Sequence, residues 1–240
     1  MTTVKKTAIV TGAGKRMGAE IAVRLARLGY HTVLHCNTSK KEAENLAVLI
    51  RAEGGGASVY PCDLADEKAI TWMIPNIHKD HPGLTLLINN ASIFEPSSFL
   101  TSTNESFNHH MDINFKAPYI LMREFAKVCP AGAIINILDT DIIRNATEHF
   151  TYLLSKKALA QLTTMTALEL APSIRVNGIC PGLILSPAGK DVSYLEKKAE
   201  NVPAKAHGSP EDVIRAVEFL LNNSFITGQN INVDGGEHLN

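Results

Sequence analysis

The chain lacks the features that would suit a membrane, an oxidising compartment or a polyanion. No apolar run in it approaches the roughly 20 residues that cross a bilayer. Its formal net charge is only -1, so no strong field would attract nucleic acid. The four cysteines are widely spaced and indicate neither a disulfide framework nor a zinc motif: Cys36, Cys62, Cys129 and Cys180. We therefore expect a cytoplasmic protein with no membrane or nucleic-acid partner.

An export leader and a metal-binding motif are also missing from the sequence. From Lys5 and Lys6 the chain passes directly into a short β-like run and then into glycines. The adjacent pair His109 and His110 would point about 100° apart on a helix, so these side chains could not easily share one ion. We predict no metal site. His149 lies three residues before Tyr152 and could face a pocket, but the sequence assigns it no role.

What the chain does contain is an alternation of apolar runs and amphipathic segments. Its composition, 45% hydrophobic and 20% charged, is that of an ordinary globular protein. Strands that alternate with helices predict an α/β fold, a Rossmann-type doubly wound parallel sheet of about seven strands flanked by helices. We expect one domain over residues 1–240. The predicted strands include Val4–Thr11, His31–Cys36, Ala57–Cys62, Leu84–Ile88, Ala133–Leu138 and Gln229–Val233.

A glycine-rich run, TGAGKRMG, follows the first strand and opens directly into an amphipathic helix. Backbone N–H groups at the start of a helix, together with its dipole, favour a phosphate. Gly12, Gly14 and Gly18 would let the backbone approach that group, and Lys15 and Arg16 add two cations. The run predicts a dinucleotide site. Its spacing is not GxGxxG, and a simple connecting turn is the alternative.

The end of the second strand lacks the acidic residue that would bind the ribose 2′-hydroxyl of NAD. Asn37, Thr38 and Ser39 stand there instead and offer neutral donors. With Lys15 and Arg16 they suit a 2′-phosphate, so we predict NADPH rather than NADH as the cofactor. The alternative is that Thr38 and Ser39 cap the next helix, and both roles can coexist.

The ends of the third and fourth strands carry further candidates. Asp63 could meet an adenine amino group, or an acidic helix cap could lie at Asp63 or Asp66; spacing alone leaves both open. Small residues in Asn90–Ser92 would let a flat ring approach the strand end. Phe94, just beyond them, could stack on an aromatic substrate.

Tyr152 and Lys156 are four residues apart in a helical segment, so their side chains project from nearly the same face. An adjacent ammonium would lower the pKa of the phenol. A solvated lysine beside a half-buried tyrosine is the bland alternative. Asp139 follows a predicted buried strand, at the end where ligands bind in open parallel sheets. Because strand side chains alternate, Thr140 should point away from the Asp139 side.

Five motifs together resemble the short-chain dehydrogenase/reductase family over essentially the whole chain. They are TGAGKRMG, NNAS, Asn114 within MDINFKAPY, YLLSK and the run Cys180-Pro181-Gly182. The resemblance implies that Lys156 holds the nicotinamide ribose and that Asn114 interrupts its helix and holds a proton-relay water. It also implies a homotetramer built by the helices around 103–128 and 149–171.

Two departures from that family's commonest pattern resemble its pteridine reductase and dihydromonapterin (dihydrofolate) reductase branch. Arg16 stands where glycine is usual, and Asp139 stands where the active-site serine is usual. The run Asn37-Thr38-Ser39 is closer to the bacterial members than to the His-Arg-Ser of parasite pteridine reductases.

Charge favours one reaction at this site. Beside a carbonyl oxygen that gains negative charge a carboxylate repels, whereas beside the ring nitrogen of an imine it stabilises positive charge. Asp139 thus predicts NADPH-dependent reduction of a dihydropterin C=N bond, with dihydromonapterin, dihydrobiopterin or dihydrofolate as substrate. One alternative is a carbonyl reductase, such as one acting on a 3-oxoacyl thioester. Another is an NADP(H)-binding sensor without turnover. The polar segment 181–208 is predicted to be a loop that covers the substrate, with a surface excursion as the alternative.

The candidate residues fall into three sets. The predicted catalytic residues are Asp139, Tyr152, Lys156 and Asn114. The predicted cofactor-binding residues are Gly12, Gly14, Lys15, Arg16, Met17, Gly18, Asn37, Thr38, Ser39, Asp63, Leu64, Asn90, Ala91, Ser92, Tyr152, Lys156, Pro181 and Gly182. The predicted substrate-binding residues are Arg16, Ser92, Phe94, Asp139, Tyr152 and Leu183.

Overall fold

A parallel sheet forms the centre of the molecule. The structure is a computed structural model that describes residues 5–187, 189 and 191–240. The strands of the described ranges are β1 (Thr7–Val10), β2 (His31–Cys36), β3 (Gly56–Pro61), β4 (Leu84–Asn89), β5 (Gly132–Ile137), β6 (Ile174–Pro181) and β7 (Asn230–Val233). They pair in the order β3-β2-β1-β4-β5-β6-β7, and every pairing is parallel. The predicted doubly wound sheet is confirmed, although Val4 lies outside the described residues.

Helices cover both faces of this sheet. They are α1 (Arg16–Arg27), α2 (Lys40–Ala52), α3 (Glu67–Asp80), α4 (Asn104–Met111), α5 (Ala117–Val128), α6 (Phe150–Leu170), α7 (Val192–Ala199) and α8 (Pro210–Asn222). One apolar cluster joins α1, α2 and α8 to the sheet, and a second joins α3, α5 and α6 to its other face. Within β1, Ala8 and Val10 belong to the first cluster and Ile9 to the second, as side chains that alternate between faces require.

The strand order reverses beside β1, which pairs with β2 on one side and with β4 on the other. In an open parallel sheet, such a reversal leaves a crevice at the carboxyl ends of the strands, where ligands bind. The glycine-rich run lies between β1 and α1, and therefore at this crevice.

The helix around Asn114 changes its hydrogen-bond period. A π-helical segment, Asp112–Lys116, separates α4 from α5, so the predicted interruption at Asn114 is confirmed. Single π turns inside helices are frequent at functional sites, because they turn individual side chains out of the regular helical path.

The segment 181–208 is not the plain loop that was predicted. It contains α7, whose N-cap residue Asp191 accepts hydrogen bonds from the backbone N–H and hydroxyl of Ser193. Leu195 and Ala199, four residues apart, are the buried positions of this short helix. Two buried residues in eight gave little periodic signal to read from the sequence. Residues 188 and 190 of this segment lie outside the described residues. Within the described ranges, none of the helices is both long and apolar enough to cross a membrane.

Candidate active site

A cavity of about 600 Å³ lies beside the N-terminus of α1. It is lined by residues that follow β1, β2, β3 and β4, and thirteen of the predicted cofactor residues are among them. These are Gly12, Lys15, Arg16, Met17, Gly18, Asn37, Thr38, Ser39, Asp63, Leu64, Asn90, Ala91 and Ser92. The residues that the sequence predicts at the carboxyl edge of the sheet therefore line a single cavity.

The glycine loop folds back on itself at this cavity. Gly12 has a φ of +64°, in the left-handed region that favours glycine. A Cβ at Gly18 would overlap the carbonyl oxygen of Gly12, and one at Gly14 would overlap the Ser39 hydroxyl. At the start of α1, the N-cap residue Lys15 makes no side-chain capping bond, and the first turn holds no acidic residue. The uncapped N–H groups and the uncompensated dipole fit an anionic phosphate.

Arg16 occupies a strained position in this loop. Its φ is 55°, a left-handed conformation that costs a residue with a Cβ about 1–2 kcal/mol. Its guanidinium Nη2 donates to the carbonyl oxygen of Ser186 at 2.8 Å, so it joins the loop to the segment that leads to α7. Strained residues persist where the surrounding structure and function require them.

His35, which the sequence analysis left without a role, holds the glycine loop in place. It is only 1% exposed, and its Nδ1 accepts from the backbone N–H of Gly12 at 3.1 Å. Its Nε2 must then carry the proton that is donated to the carbonyl oxygen of Cys62, 3.0 Å away. Burial lowers the pKa of His35 to about 4, so the ring is neutral, as this arrangement requires. The sequence signal for this role of His35 was a polar residue inside a predicted strand.

The structure shows which of the candidate residues cap the helices α2 and α3. Ser39 stands at the N-cap of α2 but makes no side-chain capping bond there. Asp66 caps α3, accepting from the backbone N–H groups of Lys68 and Ala69 at 3.0 Å each. Asp63 accepts from the backbone N–H of Ala65 at 2.9 Å and lines the cavity. Asp66 is therefore the cap of α3, while Ser39 and Asp63 both face the crevice.

Tyr152, Asp139 and Lys156 lie together beyond the end of β5. The Tyr152 hydroxyl donates to Asp139 Oδ2 at 2.6 Å, and Asp139 Oδ1 accepts from the backbone N–H of Asp141 at 2.8 Å. Lys156 Nζ donates to the carbonyl oxygen of Ile137 at 2.7 Å. Tyr152 and Lys156 are 8% and 3% exposed. A phenol, a carboxyl group and an ammonium thus share a largely dehydrated site.

The Thr140 hydroxyl has its partner outside this group. It donates to Asp234 Oδ2 at 2.5 Å, while the Tyr152 hydroxyl donates to Asp139. Thr140 begins a 3-10 turn, Thr140–Ile142, so the alternation expected for a strand does not extend to it. The carboxyl group, and not the neighbouring hydroxyl, faces the phenol.

Proton affinities in this group differ from the expectation. Burial raises the pKa of Tyr152 well above its usual value, and the negative charge of Asp139 raises it further. Burial also raises the pKa of Asp139, although the Tyr152 hydrogen bond opposes that change. Burial lowers the pKa of Lys156 to about 8. The prediction that Lys156 lowers the Tyr152 pKa is wrong for this arrangement, because desolvation and the carboxylate outweigh an ammonium 5.8 Å from the ring centroid.

The amide of Asn114 is fully occupied by protein groups. Its oxygen accepts from the backbone N–H of Ile93 at 2.9 Å and from the Ser92 hydroxyl at 3.1 Å. Its nitrogen donates to the carbonyl oxygen of Ile93 at 3.0 Å and to the Ser155 hydroxyl at 3.1 Å. An amide side chain offers two donor and two acceptor positions, so this one has none left. It ties the NNAS segment to α6. The proton-relay water expected at Asn114 would have to be held by its backbone instead of its side chain, and stays a prediction.

A second cavity, of about 530 Å³, opens in front of Asp139. The predicted residues that line it are Phe94, Asp139, Pro181, Gly182 and Leu183. The lining residues that the sequence did not single out are Thr140, Asp141, Arg144, Tyr194, Lys198, Asn201, Val202, Glu237 and Asn240. They come from α7, from the turn after β5 and from the segment after β7, which only the tertiary fold brings together. Arg16 and Ser92, also predicted for the substrate, line the first cavity instead.

Phe94 stands at the edge of this second cavity. It is 53% exposed, and the ring of His149 stacks on it with centroids 3.8 Å apart. The ring of Tyr152 meets Phe94 edge-on, with centroids 4.7 Å apart. His149 therefore packs against the aromatic residue that was expected to stack on a substrate. One face of Phe94 is already covered, and only the other can take a ligand.

Comparison with known proteins identifies the family. A family model described as enoyl-(acyl carrier protein) reductase, which belongs to the short-chain dehydrogenase/reductase family, matches residues 12–238. That range holds the Tyr152 and Lys156 pair, all residues that line the first cavity and all but Asn240 of those that line the second. The chain belongs to the short-chain dehydrogenase/reductase family. It is accordingly an oxidoreductase.

Several members of the short-chain dehydrogenase/reductase family are similar over nearly their whole length. Dihydromonapterin reductase of Enterobacter sp. (strain 638) is 28% identical over 237 residues, which cover 97% of this chain and 96% of that protein. The 3-oxoacyl-(acyl-carrier-protein) reductase of Rickettsia bellii is 32% identical over 239 residues, which cover 96% of each. The structure of FolM alternative dihydrofolate reductase 1 from Brucella canis, complexed with NADP, has a TM-score of 0.94 and 32% identity and covers 99% of this chain and 95% of its own.

Within the short-chain dehydrogenase/reductase family the chain belongs with the pteridine reductase branch, as its sequence predicted. Both departures from the common family pattern lie at the two cavities. Arg16 lines the first, and Asp139 lines the second while it accepts the Tyr152 hydrogen bond.

Proposed function

We propose that the protein reduces the C=N bond of a 7,8-dihydropterin to the tetrahydro form with NADPH. The observation that carries the proposal is the Asp139 carboxyl group, which is hydrogen-bonded to the Tyr152 hydroxyl and lines the second cavity. Dihydromonapterin, dihydrobiopterin and dihydrofolate are the candidate substrates. Similarity to dihydromonapterin reductases and to FolM supports this choice.

The cofactor is NADP(H), and it supplies the hydride when bound. The first cavity fits it: the start of α1 would hold a phosphate, with Lys15 and Arg16 as the cations beside it. Asn37, Thr38 and Ser39 after β2 line the same cavity and would offer a 2′-phosphate neutral donors. Lys156, which donates to the Ile137 carbonyl oxygen, would turn a second N–H donor toward the ribose.

Asp139 and Tyr152 would handle the proton. Hydride transfer to the carbon of a C=N bond leaves a ring nitrogen that must gain a proton, so that one C–H and one N–H bond replace the π bond. A carboxylate near that nitrogen stabilises its positive charge. Burial raises the pKa of Asp139, so this carboxyl group takes up a proton more readily than an exposed one, and a proton carried by it is the one that would pass to the nitrogen. The Tyr152 hydroxyl, whose pKa burial also raises, keeps its own proton and donates it to the carboxyl group as a hydrogen bond.

The chemistry of the second cavity also favours a pterin over an acyl chain. Asp141, Arg144, Lys198 and Glu237 line it together with Asp139. Arg144 is hydrogen-bonded to Asp141 and lies 3.9 Å from Glu237. A lining with this many polar groups suits a heterocycle that carries several N–H and C=O groups on its rim. An alkyl chain would remove the charged groups from water and offer them no polar contact.

A carbonyl reductase is the second candidate, because 3-oxoacyl-(acyl-carrier-protein) reductases are also similar over nearly the whole chain. Beside the Tyr152 hydroxyl, such an enzyme needs a second neutral donor for the carbonyl oxygen. The hydroxyl next to Asp139 in the sequence, that of Thr140, donates to Asp234 instead. A sensor without turnover would have no use for the buried Tyr152 and Lys156 pair.

The experiment follows NADPH absorbance with dihydromonapterin, dihydrobiopterin, dihydrofolate and acetoacetyl thioester in parallel. We expect oxidation with at least one dihydropterin, and its loss in Tyr152→Phe. Tyr119→Phe is the matched control, because Tyr119 lies on the surface beside Arg123 and away from both cavities. Oxidation with the thioester alone would overturn the proposal in favour of a carbonyl reductase. NADPH binding without oxidation of any compound would favour the sensor.

A further inference from the structure

The backbone that carries Asp139 leaves the sheet just before this residue. The ladder with β6 reaches Leu138, whose N–H donates to the carbonyl oxygen of Ile179 at 2.7 Å. Asp139 is still extended, with φ -152° and ψ 149°, and a short 3-10 turn, Thr140–Ile142, follows. The direction of the Asp139 carboxyl group therefore depends on what fixes this turn, and not on the sheet alone.

Thr140 fixes the turn through Asp234. Its hydroxyl donates to Asp234 Oδ2 at 2.5 Å, and both side chains are buried. A hydrogen bond to an ionised carboxylate is roughly twice as strong as one between neutral groups. Asp139 and Thr140 are adjacent in the chain, so fixing the Thr140 side chain restrains the backbone from which the Asp139 side chain projects.

Asp234 is itself held from the segment after β7. Its Oδ2 also accepts from the backbone N–H of His238 at 2.9 Å and lies 2.7 Å from His238 Nδ1. Its Oδ1 accepts from the backbone N–H of Gly236 at 3.0 Å. A Cβ at Gly182, just after β6, would lie 2.6 Å from the Cβ of Asp234. Asp234 thus connects the ends of β5, β6 and β7.

We infer that Asp234 is a positioning residue for the reaction, which holds the Asp139 carboxyl group against the Tyr152 hydroxyl by anchoring Thr140. The inference rests on the proposed role of Asp139. It assigns Asp234 no contact with substrate or cofactor. Asp234 acts on the position of Asp139 through the hydrogen bond that it accepts from the Thr140 hydroxyl, and a single isosteric substitution removes that bond.

Thr140→Val tests this bond, because valine keeps the shape of threonine and lacks the hydroxyl. We expect kcat with a dihydropterin to fall by about 10- to 100-fold, the effect of a misplaced catalytic group, while the KM for NADPH stays within about twofold. Thr140→Ser restores the donor and should recover most of kcat. Thr32→Val is the matched control, since it removes a buried hydroxyl from β2 that donates to the Gly56 carbonyl oxygen far from Asp139.

Crystal structures of the Val and Ser variants give a readout that needs no substrate. We expect the 2.6 Å contact between Tyr152 and Asp139 to be lost in Thr140→Val and kept in Thr140→Ser. If Thr140→Val does not fold, Asp234→Asn serves in the same comparison, since it keeps the size of the side chain and removes its charge.

Two results would overturn the inference. One is a Thr140→Val enzyme with wild-type kcat and an intact contact between Asp139 and Tyr152. The other is a loss of NADPH affinity in parallel with kcat, which would indicate general damage. If the wild-type enzyme turns over no dihydropterin, the proposed function fails, but the crystallographic comparison still decides whether Asp234 positions Asp139.

Discussion

Asp139 is the residue on which the choice of reaction depends. Its two oxygens have separate partners, since the Asp141 backbone fixes one and the Tyr152 hydroxyl occupies the other. A neutral amide or alcohol at this position would keep part of the hydrogen bonding and lose the charge. Substitutions of Asp139 therefore separate what its charge contributes to catalysis from what its packing contributes.

Asp139→Asn should lower kcat with a dihydropterin by about 10²- to 10⁴-fold, the range for losing a general acid or base. NADPH affinity should change little, because Asp139 lies in the second cavity and not in the first. Asp139→Ser should lose pterin turnover to a similar extent. Steady-state kinetics with each variant, and NADPH binding followed by fluorescence, check both statements. An equal loss of turnover and NADPH affinity would remove Asp139 from the catalytic role.

Arg16 combines strain with charge, so its substitution should separate stability from binding. Arg16→Gly relieves a left-handed conformation worth about 1–2 kcal/mol, against about 0.5–1 kcal/mol for the added freedom of glycine in the unfolded chain. The variant also loses the hydrogen bond from Arg16 to the Ser186 carbonyl oxygen, worth about 0.5–1.5 kcal/mol. We expect the unfolding free energy without cofactor to stay within about 1 kcal/mol of the wild-type value, while NADPH affinity falls. Lys15→Ala is the control, because Lys15 is extended and its substitution removes a cation and the ion pair with Glu42 without relieving backbone strain. Unchanged NADPH affinity in Arg16→Gly would contradict this account.

At the scale of elements, the junction of β1 with α1 makes different demands on its glycines. A Cβ at Gly18 would overlap backbone, the carbonyl oxygen of Gly12. At Gly14 it would lie 2.4 Å from the hydroxyl of Ser39, which can rotate, and 2.9 Å from the Cβ and 3.0 Å from the backbone oxygen of Ser39, which cannot. The overlap with fixed atoms is thus deeper at Gly18 than at Gly14.

Gly18→Ala should therefore cost about 2–3 kcal/mol of unfolding free energy, near the upper end for overpacking. Gly14→Ala should cost less, about 1–2 kcal/mol, because its closest contact, the Ser39 hydroxyl, can rotate away and the fixed atoms of Ser39 are farther off. Denaturant unfolding in the absence of NADPH measures both values. The order of the two variants is the test, and a larger cost for Gly14→Ala would show that Ser39 cannot rotate away.

The helices and strands also show where the sequence pattern was enough to predict an element and where it was not. The strand β2 has the bounds that were predicted for it, and five of its six residues are buried. The helix α7 was missed, since only Leu195 and Ala199 of its eight residues are buried. Short polar helices form from capping and local packing, and neither leaves a periodic pattern.

For the whole molecule, buried histidines couple folding to pH. The pKa of His35 is lowered to about 4 in the folded state from an ordinary 6.5, mainly by burial. The unfolded chain therefore binds more protons between these values, and stability is lost as the pH falls from 6.5 toward 4. His31, which stacks on His81, has its pKa lowered to about 4 by burial and contributes in the same direction.

We expect the unfolding free energy to be about 2 kcal/mol lower at pH 5 than at pH 7 from His35 alone. Denaturant unfolding at the two pH values measures the difference. His35→Gln should reduce it, although this variant starts from a lower stability because it loosens the glycine loop. His207→Gln is the control, since His207 is exposed and should leave the pH dependence unchanged. A pH dependence that stays the same in His35→Gln would contradict the assignment.

Other properties of the whole molecule remain predictions. The single domain and the homotetramer were inferred from chain length and from family resemblance. Sedimentation of the purified protein would test the second of these.

The sequence by itself determined the alternation of strands and helices, the crevice at the glycine loop, and the pairing of Tyr152 with Lys156. Each of these depends on local spacing, which the backbone geometry of helices and strands converts directly into position. Only the tertiary structure decided that His35 anchors Gly12, that Asp234 holds Thr140, and that burial raises the Tyr152 pKa instead of letting Lys156 lower it. Contacts between residues about 20 to 100 positions apart, and the exclusion of water around them, arise from packing between elements. No local pattern in the chain records them.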